Sequence, residues 1–334
     1  MENFDRIGTA FGAPHRRKGW RSFALVGTMA MGLASIGTGL AQAAPDDPLT
    51  RPIARDLAPR WLEPAGPIRV YGSTWLVGFT HLNVVLIATD AGLVLIDAGL
   101  PQAAPRVEAS LRAAGFRIED VRLILSSEPH YDHAGGLAAL ARDSGATVLA
   151  SGPGADVLRK GMSGAEDPQR AALFAYPPVR AVRVVHDGQK IRLGHTVITA
   201  HATPGHTPGS MSWSWASCAR DHAGHDGDCK AMVFASSLNS LTEKPYRYLA
   251  PEHAALRAAF RRSFATIRAL PCDILITGHP EHSDGEARLA RLRADPTGQG
   301  YQSDGACRAL AERYEAAFDA RLAQEARGGE PGAR

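Results

Sequence analysis

Four side chains able to hold a metal ion fall within six residues, in the run Glu128-Pro129-His130-Tyr131-Asp132-His133. Imidazole and carboxylate are standard zinc ligands. In a bent loop alternate side chains point to different sides. Glu128 and His130 can therefore serve one metal while Asp132 and His133 serve a neighbour. His206 and His279 stand at equivalent positions further along, each just past a strand-like run, and supply one more ligand apiece. His282 competes with His279 for that place, but His279 follows its strand directly. The result is two sites of three protein ligands each. Positions left open for water and substrate mark catalytic rather than structural zinc. Two metals side by side can clamp an attacked oxygen and a leaving group together.

These residues need elements to present them. Leu93 to Asp97 is a short apolar run ending on a carboxylate, which reads as a buried strand delivering a polar group to a sheet edge. Val121 to Ser127 is a second such run, and it leads straight into the ligand cluster, where Pro129 prevents a regular ladder. Gly135-Gly136 opens a helix over Leu137 to Asp143, and another helix spans about Ala103 to Ala114, ended by Gly115. Residues 151 to about 180 are rich in Gly, Pro and Met and read as loop. Val182 to Val185, Lys190 to Leu193 and Thr196 to Ala202 read as antiparallel strands, followed by the loop Thr203 to Ser210 that carries His206. Met211 to Trp215, Ala231 to Ala235 and Asp273 to Thr277 are further strands. Helices cover Glu252 to Leu270 and Cys307 to Gln324. In the latter, Leu310, Tyr314, Phe318 and Leu322 repeat on one face. Strands that end on ligands, alternating with helices, suggest two sheets covered by helices on their outer faces.

The chain has 334 residues, 45% hydrophobic and 21% charged, ordinary values for a folded soluble protein. A basic stretch (Arg16, Arg17, Lys18, Arg21), an apolar run from Phe23 to about Leu40, and the small-x-small pattern Ala41-Gln42-Ala43 read as a secretory signal peptide, residues 1–43. Residues 44–334 then form a single domain with no stable membrane association. The leader carries five of the 37 basic and two of the 34 acidic residues, so the remainder balances at 32 against 32. No basic surplus is left to favour nucleic acid or an anionic membrane. The four cysteines, Cys218, Cys229, Cys272 and Cys307, contain no CxxC, which argues for disulfides rather than a cysteine zinc site. Of three pairings, Cys218–Cys229 (closing a polar loop) and Cys272–Cys307 (tying a strand start to the last helix) are favoured.

The cluster at 128–133, the Asp97 strand, the Gly135-Gly136 pair and the stretch Gly205-His206-Thr207-Pro208-Gly209-Ser210 together resemble the metallo-β-lactamase superfamily, with its HxHxDH loop after a strand. The resemblance spans about residues 68 to 322. Relatives acting on thioesters and lactones carry a bridging Asp after the strand near residue 235, and subclasses B1 and B2 of the β-lactamases carry Cys. Ser237 stands there in this chain, which resembles subclass B3. The resemblance implies an αβ/βα four-layer sandwich of two mixed sheets flanked by helices. It implies two zinc ions, the first on Glu128, His130 and His206, the second on Asp132, His133 and His279. It further implies hydrolysis of the β-lactam amide of penicillins, cephalosporins and carbapenems, conferring antibiotic resistance, by a monomer in the periplasm. In that scheme Asp132 orients the attacking water, the first zinc polarises the carbonyl, and the second stabilises the departing nitrogen. Ser237 and Asn239 bind the substrate carboxylate or a metal-held water. A hydrolase of the same fold acting on a lactone, ester or thioester is the alternative. Two departures stand out: Glu128 replaces the first His of the motif, and Ser236 stands where many B3 enzymes have Asp.

Overall fold

The computed structural model describes residues 46–220, 226–295 and 299–328. The signal-peptide reading of residues 1–43 lies outside them. Two sheets carry the architecture. The first holds seven strands side by side in chain order: β1 (Ile68–Tyr71), β2 (Thr74–Leu76), β3 (Val85–Thr89), β4 (Gly92–Ile96), β5 (Val121–Leu125), β6 (Thr147–Ala150) and β7 (Val182–Val184). β1 to β4 are antiparallel neighbours, whereas β4 to β7 run parallel, joined by helical crossovers. The second sheet has five strands. β8 (Lys190–Leu193), β9 (Thr196–Ala202), β10 (Met211–Arg220) and β11 (Asp226–Ala235) run antiparallel in order, and β12 (Ile274–Thr277) pairs parallel to β11.

Helices cover both outer faces. α1 (Ala58–Trp61), α2 (Ala104–Ala113), α3 (Tyr131–Ala134), α4 (Leu137–Ser144) and α5 (Gly152–Lys160) accompany the first sheet; α6 (Ala254–Ala269), α7 (Gly285–Ala294) and α8 (Ala306–Ala326) follow the second. The period-two alternation of each strand divides the core into three. Val94 and Ile96 of β4 face the second sheet and pack with Trp213, Phe234 and Ile276. Their neighbours Leu93 and Leu95 face outward onto Val107, Leu111 and Leu140 of α2 and α4. Val233 and Leu275 leave the second sheet on its far side to meet Phe260, Phe264 and Phe318 of α6 and α8. Strands buried on both faces explain why the parallel runs are apolar throughout rather than alternating with polar residues. The four layers are those of the αβ/βα sandwich.

Two of the longer helices depart from the sequence reading. Residues 152–160, expected to be loop, form α5. Ser151 caps it by accepting from the Gly154 amide at 3.1 Å, and Gly161 ends it in the left-handed region at φ 70°. The Ser-Gly-Pro-Gly start holds a cap and an early proline, but its glycines hid the helix. α7 has weak amphipathic patterning and was not expected either. The disulfides are Cys218–Cys229, across the β10–β11 pair, and Cys272–Cys307, joining the entry of β12 to α8. Among the described residues no helix is long and apolar enough to cross a membrane.

Candidate metal centre

The ligand-bearing loops leave the strands at one edge of the sandwich, where short polar contacts hold them. Asp97 directly follows β4 at φ 63°, a conformation that costs a non-glycine residue energy and so implies compensation nearby. Its Oδ1 accepts from the Ser127 amide at 2.7 Å, and its Oδ2 accepts from the Ser127 hydroxyl at 2.6 Å. One buried carboxylate thereby ties the ends of β4 and β5 together. Past β5 the chain turns through Ser126–His130 into α3. Gly135 and Gly136 follow because a Cβ at either place would strike Pro101 or the Ala98 carbonyl. At the far side the Asn83 amide donates to the Gly278 carbonyl at 2.7 Å and its side chain to the Thr277 carbonyl at 2.8 Å. These bonds fasten the exit of β12 to the first sheet. Gly278 lets the His133 imidazole lie against the backbone, since a Cβ there would collide with the ring.

The six expected ligands come together as two triplets. Glu128, His130 and His206 form one, Asp132, His133 and His279 the other, and within each triplet the ligand atoms lie within 4.8 Å of one another. His279 rather than His282 completes the second. All four imidazoles are oriented the same way. His133 Nδ1 faces Asp97 Oδ2 at 3.2 Å, and His279 Nδ1 faces the His81 carbonyl at 3.3 Å. His130 Nε2 faces Asp167 Oδ2 at 3.0 Å, and His206 Nδ1 faces the Asn239 carbonyl at 3.1 Å. Each of these acceptors takes the ring N–H and leaves the opposite nitrogen as a lone pair turned inward.

Those lone pairs meet carboxylates. His133 Nε2 is buried with no aligned hydrogen bond, yet lies 3.1 Å from Glu128 Oε1 and 3.4 Å from Asp132 Oδ2. His279 Nε2 lies 3.0 Å from Asp132 Oδ2. Imidazole lone pairs packed on carboxylate oxygens repel unless a positive charge stands between them. The titration preferences say the same. Burial opposes a charge on His133, but Glu128, Asp132 and Asp97 outweigh it and push the group up to about 10. Burial would raise Asp132, but His133 and His279 hold it far below the usual carboxylate range. A centre that draws positive charge this strongly, with mixed nitrogen and oxygen donors in threes, fits zinc.

Glu128 has its own cradle. Its Oε2 accepts from the Ser236 hydroxyl at 2.8 Å and the Ser237 amide at 2.9 Å, and its Oε1 accepts from the Ser237 hydroxyl at 3.1 Å. All three partners are donors, matched to a carboxylate. Ser237, expected to meet substrate, thus directs both its amide and its hydroxyl at Glu128. Asn239 lines the cleft above the triplets, as do Trp61, Gln169, Leu173 and Leu241. That cleft holds about 230 Å³. Trp75 and Phe79 pack away from it: Phe79 in the core and Trp75 against Phe116.

Asp167 and Gln169 are not foreseen from the sequence. Asp167 is buried behind His130, and the Gln169 side-chain amide lies 3.1 Å from His206 Nε2. Both sit in the stretch read as loop, 37 residues from the histidines they touch, where no spacing rule reaches. Only an Asx-type bond within the segment (Gln169 amide to Asp167 Oδ1, 2.9 Å) marks it, and that is a local feature.

A model of the metallo-β-lactamase superfamily matches residues 77–279, and the chain belongs to that superfamily. Solved structures similar to it include subclass B3 and other metallo-β-lactamases. It is 49% identical to one characterised as the first B3 metallo-β-lactamase with an active-site glutamic acid, over 84% of this chain and 99% of that one, with a TM-score of 0.76. It is 38% identical to the metallo-β-lactamase MIM-1 from Novosphingobium pentaromativorans, over 81% of this chain and 94% of that one, with a TM-score of 0.73. A more distant relative is the hydroxyacylglutathione hydrolase of Anaeromyxobacter dehalogenans (strain 2CP-C), 29% identical over 222 residues, which are 63% of this chain and 71% of that protein.

Proposed function

We propose that the chain is a subclass B3 β-lactamase that opens the β-lactam amide with two zinc ions, one held by Glu128, His130 and His206 and the other by Asp132, His133 and His279. The observation that carries this reading is that both triplets assemble at one cleft, which Glu128, His130, His206, Asp132 and His279 line. Support comes from the B3 neighbours, one of which also has an active-site glutamic acid. Zinc, when bound, supplies Lewis acidity that polarises a carbonyl and makes a water molecule acidic.

The chain supplies position and exclusion. Asp132, with one oxygen against His279, orients the attacking water. Asp97, Asp167 and the carbonyls of His81 and Asn239 fix the imidazole tautomers, so no ring must reorient during turnover. Trp61 stands 5.6 Å from the His279 ring and shields that side from solvent. Asn239 offers a neutral side chain to the substrate. The two disulfides support an oxidising compartment, and the proposal includes removal of residues 1–43 and action in the periplasm on small molecules as a monomer.

The thioester hydrolase relative favours a second reading, in which the same centre cleaves a thioester. One experiment separates them. Purified protein with added zinc is assayed on a carbapenem, a chromogenic cephalosporin and a glutathione thioester, then again with a chelator. Turnover of the lactams that the chelator removes supports the proposal. Turnover of the thioester alone moves the assignment to the second reading.

A further inference from the structure

Arg60 is the one Lys or Arg lining the cleft among the described residues, and it shares that lining with three carboxylates: Glu128, Asp132 and Glu281. We propose that Arg60 anchors the carboxylate of the substrate, and that Glu281 holds the guanidinium in place between turnovers. The proposal rests on the β-lactam reading above and adds the recognition of charge to it.

Bicyclic β-lactams carry a carboxylate on the carbon next to the ring nitrogen. Two of the three acids, Glu128 and Asp132, are matched by the metals in that reading, which leaves Glu281 and the substrate carboxylate to be matched by the rest of the lining. Ser237 is committed, since its amide and hydroxyl both donate to Glu128. The Gln169 amide is neutral and lies at the first triplet, beside His206. Asn239 is neutral, and its Oδ1 accepts from the Leu241 amide at 3.4 Å. Arg60 remains. It donates one bond, from Nη2 to Glu281 Oε1 at 3.1 Å, and its side chain is 60% exposed. A guanidinium has five N–H donors in a planar fork suited to carboxylates, so one engaged donor leaves room for a second acid.

The location fits the substrate's shape. Glu281 lies two residues beyond His279, and Trp61, the neighbour of Arg60 on α1, packs against the His279 ring. The cation therefore stands at the second-triplet end of the cleft. A carboxylate caught there brings the adjacent ring nitrogen to the same end and directs the lactam carbonyl toward Glu128, His130 and His206. Glu281 competes for the guanidinium and so sets how strongly the anchor pulls.

The test uses the zinc-loaded protein with a cephalosporin and its methyl ester, which differ only in that charge. For Arg60→Gln, the KM of the acid should rise roughly five- to tenfold, the effect of one partly exposed charge-assisted bond. Its kcat should change by no more than about twofold, and the preference for acid over ester should fall accordingly. Arg60→Lys should recover part of the preference. Glu281→Gln should move it the other way, raising selectivity for the acid. An Arg60→Gln protein with unchanged acid-to-ester preference overturns the proposal, as does equal loss on both compounds. If the parent protein turns over neither compound, the lactam reading fails and the anchor falls with it. If it turns over both and only the Arg60 result is negative, the anchor alone is removed.

Discussion

Behind the second triplet stand only acceptors: Asp97 for His133 and the His81 carbonyl for His279. Behind the first stand acceptors and donors together. Asp167 and the Asn239 carbonyl take the ring N–H groups of His130 and His206, while two serine hydroxyls and an amide feed Glu128. The difference follows from one residue. A histidine ligand needs an acceptor to set its tautomer; a carboxylate ligand needs donors to fix which oxygen faces the metal. With Oε2 taken by Ser236 and the Ser237 amide, Glu128 presents Oε1 to the centre, 3.1 Å from His133 Nε2 and 3.5 Å from His206 Nε2. The change at position 128 is thus supported by residues more than 100 positions away. In the proposed reading it is a rebuilt ligand environment rather than a lost ligand.

The largest effect expected of this comparison is on the second triplet. Asp132→Ala removes a ligand and the group that orients water. kcat/KM should drop by several kcal/mol of activation, roughly 10³-fold, in a lactam assay at saturating zinc. Near-normal turnover would refute the role of Asp132. Next come the carboxylates behind the histidines. Asp167→Asn should weaken zinc at the first triplet roughly 10- to 100-fold and leave the second alone, and Asp97→Asn should do the reverse. Competition with a chromophoric chelator reads both constants, and equal losses at both sites in either variant would break the distinction drawn here. A smaller effect belongs to Ser237→Ala, which loses one charge-assisted bond to Glu128. Zinc at the first triplet should weaken by up to roughly tenfold, with activity returning at high zinc. A raised KM that zinc does not repair would return Ser237 to a substrate-binding role. The smallest effect on either centre is expected from Cys272→Ala with Cys307→Ala. The disulfide closes a separation of 35 residues, so stability should fall by about 4 kcal/mol on a chain-entropy basis. Both zinc constants should hold, as seen by thermal melting alongside the same chelator competition.

What the sequence disclosed, it disclosed through position. Buried strands are apolar on both faces, so the polar residue that ends each one is conspicuous. Asp97, the run from Glu128 to His133, and His279 all stand out in that way. His206 has a loop of prolines and glycines that marks it equally. Residues that act on or beside a ligand have no such setting. Asp167 and Gln169 reach the histidines across 37 residues from a segment without periodicity, and Arg60 and Trp61 come from a four-residue helix near the start of the described chain. Ser236 and Ser237 stand out for occupying positions where relatives differ, but serine has no property that foretells which group it will serve. Only the assembled fold shows that both donate to Glu128.

The account depends above all on Glu128 being a working ligand. Crystals of the zinc-loaded protein, measured with anomalous diffraction at the zinc edge, address that directly. The account predicts two anomalous peaks, one among Asp132, His133 and His279 and one among Glu128, His130 and His206, with Glu128 Oε1 as the ligating oxygen. A single peak at the second triplet, with Glu128 bound only by its serines at saturating zinc, would contradict it.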